Sequence, residues 1–140
     1  LELPEMESFD LAYAVESYIH NTNPGAFFHQ AEKALKKDRL LIVLDDIPKI
    51  DPEQWPEEFR KYADWFKNGW LANCLLPVDE MIRVANSQGF EFKGSLDLSS
   101  TVEIWRPRDK AIAFFTELFE PIMRKHTYLN SLRGGHALQI

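Results

Sequence analysis

Two short unbroken apolar stretches frame the first third of the chain, LAYAV at residues 11–15 and LLIVL at residues 40–44. Runs of this length without polar alternation predict strands buried on both faces. Between them Phe27, Phe28, Ala31, Ala34 and Leu35 fall at helical spacing. Asn23 suits the N-cap of that helix and Pro24 its first position. Lys36 and Lys37 are expected to close it, at the negative end of its dipole. Strand, helix, strand in this order predicts a right-handed βαβ unit with parallel strands. The first strand starts near Phe9, and Pro4 keeps the acidic lead-in before it extended or turned. Glu16, Ser17 and His20 then end the first strand, and Asp45 and Asp46 end the second on the same edge. In an open α/β sheet that edge is where ligands sit.

The later pattern is mostly helical. Phe59, Tyr62, Ala63, Phe66 and Trp70 form a stripe that predicts an amphipathic helix, with Trp65 off the stripe. Pro77 opens another, with Val78, Met81, Ile82 and Ala85 on one face and Gly89 as its stop. Residues 90–98 alternate and predict a half-exposed strand near a sheet edge. Residues 101–105 are ambiguous. Residues 107–125 predict a long helix, with Ala111, Phe114, Phe115, Leu118, Phe119 and Ile122 inward and Pro121 as a kink. Arg133-Gly134-Gly135 reads as a turn leading into a strand over residues 137–140.

Composition narrows the classes. The 140 residues suit one domain, and the formal net charge of −6 argues against nucleic-acid or anionic-membrane binding. Cys74 is the single cysteine, so no internal disulfide or cysteine-based zinc site is expected, and a cytoplasmic setting is the default. No apolar run is long enough to span a membrane. The chain opens without Met in what reads as mid-segment, which points to residues upstream.

Few motifs carry chemistry on their own. Gly134-Gly135 lacks the context of a phosphate cradle, and no GxGxxG, GxxxxGK or GxSxG occurs. Glu16 and His20 are four apart but at a strand end, so no metal site is expected. Glu16, Asp45 and Asp46 could supply paired carboxylates, although adjacent aspartates after a strand more often form a solvated turn. His29 and His126 read as surface or packing residues, and His136 carries no specific signal.

The order of three segments is more informative. FDLAYAVESYIH, then PGAFFHQAEKALKKDRLLIVLDD, then LPVDEMIRVANSQGFEF resembles the second half of a class I S-adenosylmethionine-dependent methyltransferase. That pattern has an FDLV strand with a histidine downstream, a helix ending near LKPGG, a strand RLLIVD, and a later helix closing in GF before a strand. The tail, SLDLSSTVEIWRP and the helix after it, is most similar to the small-molecule branch that contains the tocopherol methyltransferases. Here Lys37-Asp38 replaces the PGG, and the glycine-rich first half of the family is absent.

The resemblance implies an α/β fold, the C-terminal part of a Rossmann-like methyltransferase sheet with flanking helices and an aromatic helical cap. Residues 1–140 would form the C-terminal portion of a single domain, with about residues 49–77 as the cap or insert. It implies S-adenosylmethionine as cofactor, approached by Ala14, Val15, Glu16, Ser17 and His20. His20 or Glu16 would take a proton from a small-molecule acceptor, and Tyr18, Trp65, Trp70 and Trp105 would line the acceptor chamber. No metal is implied. The expected partner is the missing N-terminal half or a second copy, since an open parallel sheet invites strand addition. Two alternatives share the pattern, a non-catalytic methyltransferase-like interaction module and a cyclopropane-type carbon-transfer enzyme. The 140 residues alone are expected to be inactive, because nothing in them holds the adenosine.

Overall fold

The computed structural model describes residues 8–101, 107–118, 130 and 134–135. These are mixed α/β, with a two-stranded parallel sheet and helices. The chain divides into two compact units. One takes in the chain up to Asp51 together with Asn73–Lys93, and the other Pro52–Ala72 together with the chain from Gly94 onward. Among the described residues no helix is long and apolar enough to cross a membrane.

The first unit is built on strand β1 (Phe9–Val15), helix α1 (Pro24–Ala34) and strand β2 (Leu35–Leu44). The strands are parallel, with Leu11 opposite Leu40, Tyr13 opposite Ile42 and Val15 opposite Leu44. Helix α1 starts as its sequence demands. Asn23 is extended, Pro24 takes the first turn, and the Asn23 side chain accepts a hydrogen bond from the Ala26 N–H at 3.0 Å. Phe28, Ala31 and Ala34 bury one face of α1. Helix α3 (Val78–Ser87) completes the layer, with Met81, Val84 and Ala85 against a core of Tyr18, Phe28 and Cys74. Gly89, at φ 89°, turns the chain after α3 so that Phe90 meets Phe28 edge-on, their ring centres 5.9 Å apart.

Several expectations are corrected. Strand β2 begins at Leu35, so Lys36 and Lys37 lie on a strand and do not cap α1. The reason is local pairing: Phe9 opposes Leu35, and Lys36 and Arg39 both reach the Asp10 carboxylate, at 3.0 and 3.1 Å. The strands are not buried on both faces. Ala14, Leu41 and Val43 face the core, but Phe9, Leu11, Tyr13 and Val15 on β1 and Leu40, Ile42 and Leu44 on β2 are all exposed. Residues 90–98 form no strand, and among the described residues no further strand stands beside them to pair with.

In the second unit, helix α2 (Glu57–Trp70) buries Ala63 and Phe66, while Phe59 and Trp70 at the ends of its stripe remain exposed. Trp65 is half-buried and packs edge-on to Tyr62, at 5.6 Å between ring centres. Helix α4 (Pro107–Leu118) turns its expected inner side outward, with Ala111, Phe114, Phe115 and Leu118 all exposed. Gly134 and Gly135 are helical and buried and do not form a turn. A Cβ on Gly134 would stand 2.5 Å from the Tyr62 carbonyl oxygen and 2.9 Å from the Phe66 nitrogen, so glycine is what lets this segment approach α2. The expectations at Trp105, Phe119, Pro121, Ile122, His126, His136 and the strand at residues 137–140 lie outside the described residues.

Two substitutions test these contacts. Gly134→Ala destabilises the second unit by about 1–3 kcal/mol, because the backbone of α2 must yield. Asn23→Ala costs about 1 kcal/mol through the lost cap. Urea unfolding followed by circular dichroism measures both, and an unchanged midpoint in either case contradicts the contact.

Candidate functional site

The polar rim at the carboxyl end of β1 and β2 is held by the backbone. After Val15 the ladder continues for one bond, from the Glu16 N–H to the Leu44 carbonyl at 2.9 Å. Glu16 itself takes φ 47°, the left-handed region, which costs a non-glycine residue about 1 kcal/mol. This reversal feeds a single 3₁₀ turn, Tyr18–His20. The Asn21 side chain clamps the turn by donating to the Ser17 and Tyr18 carbonyls, at 3.3 and 3.1 Å.

Asp45 joins the two strand ends. Its Oδ2 accepts from the Ile19 N–H at 3.1 Å, and its Oδ1 accepts from the Asp46 N–H at 3.0 Å. The opposite side of the same turn is tied to the segment before α3. The Cys74 N–H donates to the Ile19 carbonyl at 2.9 Å, and the Asn73 side chain donates to the His20 carbonyl at 3.0 Å. The turn is therefore gripped from β2 on one side and from residues 73–74 on the other. Sequence reasoning missed Asn73 and Cys74, since they stand in no motif and neighbour the rim only through the fold.

The proposed site residues divide by burial. Glu16, Ser17 and His20 are exposed on the rim, and Val15 is exposed on the outer face of the sheet. Ala14 faces the core. Tyr18 is 1% exposed, packed against Phe27 and Phe28 with ring centres 5.2 and 5.7 Å away. Its side chain is thus a core group rather than part of an open chamber. Among the described residues the Tyr18 hydroxyl has no partner at hydrogen-bond geometry, and burial first, then the neighbouring Cys74 thiol and the Asp45 charge, push its pKa well up. Trp65 and Trp70 belong to α2 in the second unit, and Trp105 lies outside the described residues.

Electrostatically the rim is negative. Desolvation of the Asp46 carboxyl, followed by the charges of Asp45 and Glu16, raises the pKa of Asp46 above its ordinary 3.8. Such a surface favours a cationic ligand, which would relieve the crowding of like charges. Among the described residues no group of three His, Cys, Asp or Glu side chains is placed to hold a metal ion. Compared with known proteins, the chain matches no family model and none of the curated sequences.

Asp46 makes the pH dependence specific. Its folded pKa lies above the unfolded value, so it favours folding below pH 3.8, and that contribution is lost as pH rises through the raised pKa. Asp46→Asn should therefore stabilise the protein at neutral pH, by no more than about 0.5 kcal/mol because the carboxyl is only partly desolvated and solvent screens much of the effect. The gain should vanish as pH falls to the ordinary aspartate value. Urea midpoints across that range check it, and a loss of stability at neutral pH contradicts it.

Proposed function

We propose that the rim at the ends of β1 and β2 is part of the site of an S-adenosylmethionine-dependent methyltransferase acting on a small-molecule acceptor. The chain would be the C-terminal portion of its Rossmann-like domain. One observation carries the reading. Two parallel neighbouring strands, connected through α1, bring Glu16, His20, Asp45 and Asp46 to one edge, with the Ile19 N–H bonded to Asp45. Antiparallel strands, or His20 and Asp45 on opposite sides, would have removed the basis for it.

The donor set suits this cofactor on charge. S-adenosylmethionine carries positive charge at its sulfonium and its ammonium, and the rim offers three carboxylates. The cofactor supplies an activated methyl group. Glu16, Ser17 and His20, exposed on the rim, would hold it there. The protein's tasks are alignment and exclusion of water. Glu16 stands where the left-handed turn sets its carboxylate at the strand end, and backbone strain of this kind is often kept at binding sites. His20 or Glu16 would take the proton that the acceptor loses.

Binding is the readout for this chain. S-adenosylhomocysteine, titrated to about 1 mM, should perturb the His20 and Glu16 NMR signals, and Glu16→Ala should weaken the effect roughly tenfold. Perturbation confined to residues away from the rim, or none at that concentration, refutes the assignment.

A further inference from the structure

The turn that carries His20 to the rim is too short to orient it alone. Tyr18–His20 is three residues long, and the His20 N–H reaches the Ser17 carbonyl at 3.4 Å, beyond the usual hydrogen-bond range. Asn21 clamps the Ser17 and Tyr18 carbonyls at the start of the turn and leaves the Ile19 and His20 carbonyls to other partners. Tyr18 and Ile19 are anchored inward, 1% and 5% exposed, while His20 stands exposed.

Two consecutive residues supply what the turn lacks. The Cys74 N–H donates to the Ile19 carbonyl at 2.9 Å. The Asn73 Nδ2 donates to the His20 carbonyl at 3.0 Å, across 53 residues of chain. These carbonyls belong to the two peptide planes that bracket His20. Each plane is rigid, so holding both sets the φ and ψ of His20. The carbonyl carbon and Cβ leave the same Cα and swing together about the N–Cα bond. Pinning the His20 carbonyl therefore sets the direction in which its side chain leaves the backbone. The hold is itself anchored. Asn73 is exposed, but Ala72 before it and Cys74 and Leu75 after it are all buried.

We infer that Asn73 is a positioning residue for His20, fixing the direction of its side chain on the rim through the hydrogen bond to the His20 carbonyl. The consequence for ligand binding rests on the methyl-transfer reading, whereas the orientation of His20 does not. An amide suits the task. It brings an N–H donor without adding charge beside a rim that already carries Glu16, Asp45 and Asp46. An ionised aspartate has the same shape but can only accept. The bond lies in solvent, so its contribution is direction more than stability.

The three-bond coupling between the His20 amide and α protons reads its φ directly and needs no ligand. In Asn73→Asp and in Asn73→Ala this coupling should move away from the parent value, with the circular dichroism spectrum and urea midpoint unchanged. S-adenosylhomocysteine should then bind both variants roughly threefold to tenfold more weakly than the parent. The aspartate variant separates orientation from charge, since an added carboxylate by itself favours a ligand that carries an ammonium. An unchanged coupling in both variants overturns the proposal, whatever the ligand does. A moved coupling with S-adenosylhomocysteine bound as tightly as by the parent also overturns it, because the orientation of His20 would then not matter to the site. Absence of binding by the parent, with the coupling moved in both variants, overturns the methyl-transfer reading and supports the positioning of His20.

Discussion

The constraint on which the first unit depends is the parallel pairing of β1 with β2. Parallel strands cannot be joined by a tight turn, so the chain must climb β1, cross through α1 and re-enter at the same end. That requirement explains the abrupt left-handed reversal at Glu16 and the Asn23 cap that starts α1. It also puts both strand ends on one edge. Asp45 then closes the edge by accepting the Ile19 N–H, so that one side chain couples the end of β2 to the turn after β1.

The same pairing creates the opposite problem on the outer face. A two-stranded parallel sheet presents apolar side chains on both sides of its pleat, and α1 and α3 shield only one. Polar residues relieve this at the ends, where Asp10 meets Lys36 and Arg39 and where the carboxylates of the rim face water. Surface ion pairs of that exposure contribute little stability. The net balance within the unit comes from the aromatic and aliphatic cluster around Tyr18, Phe28 and Cys74.

How much of this was legible in the sequence differs by element. Strand β1, the Asn23–Pro24 start of α1, helix α2 and helix α3 follow from local signals: continuous apolar runs, a cap residue before proline, and helical spacing. The shared edge of Glu16, His20, Asp45 and Asp46 followed from the order of elements. What failed was context. A continuous apolar run reports that a strand can be buried on both faces, and says nothing of whether a second layer is present. Alternation over residues 90–98 shows compatibility with a strand but cannot supply a neighbour. Lys36 and Lys37 suit a helix end as well as a strand, and only the pairing of Phe9 with Leu35 decides between them. The roles of Asn73 and Cys74 are set by distant contacts and leave no local trace. Gly134-Gly135 carried a signal of close approach that reads equally as a turn.

The division into two compact units has a practical consequence for how the molecule can be watched. Cys74, the single thiol, is 5% exposed within the first unit, and Trp55, Trp65 and Trp70 all belong to the second. Nature has thus placed a chemical clock in one half and an optical one in the other. Maleimide labelling times the loosening of the first, indole emission follows the second, and their comparison reveals whether the halves melt together or in turn.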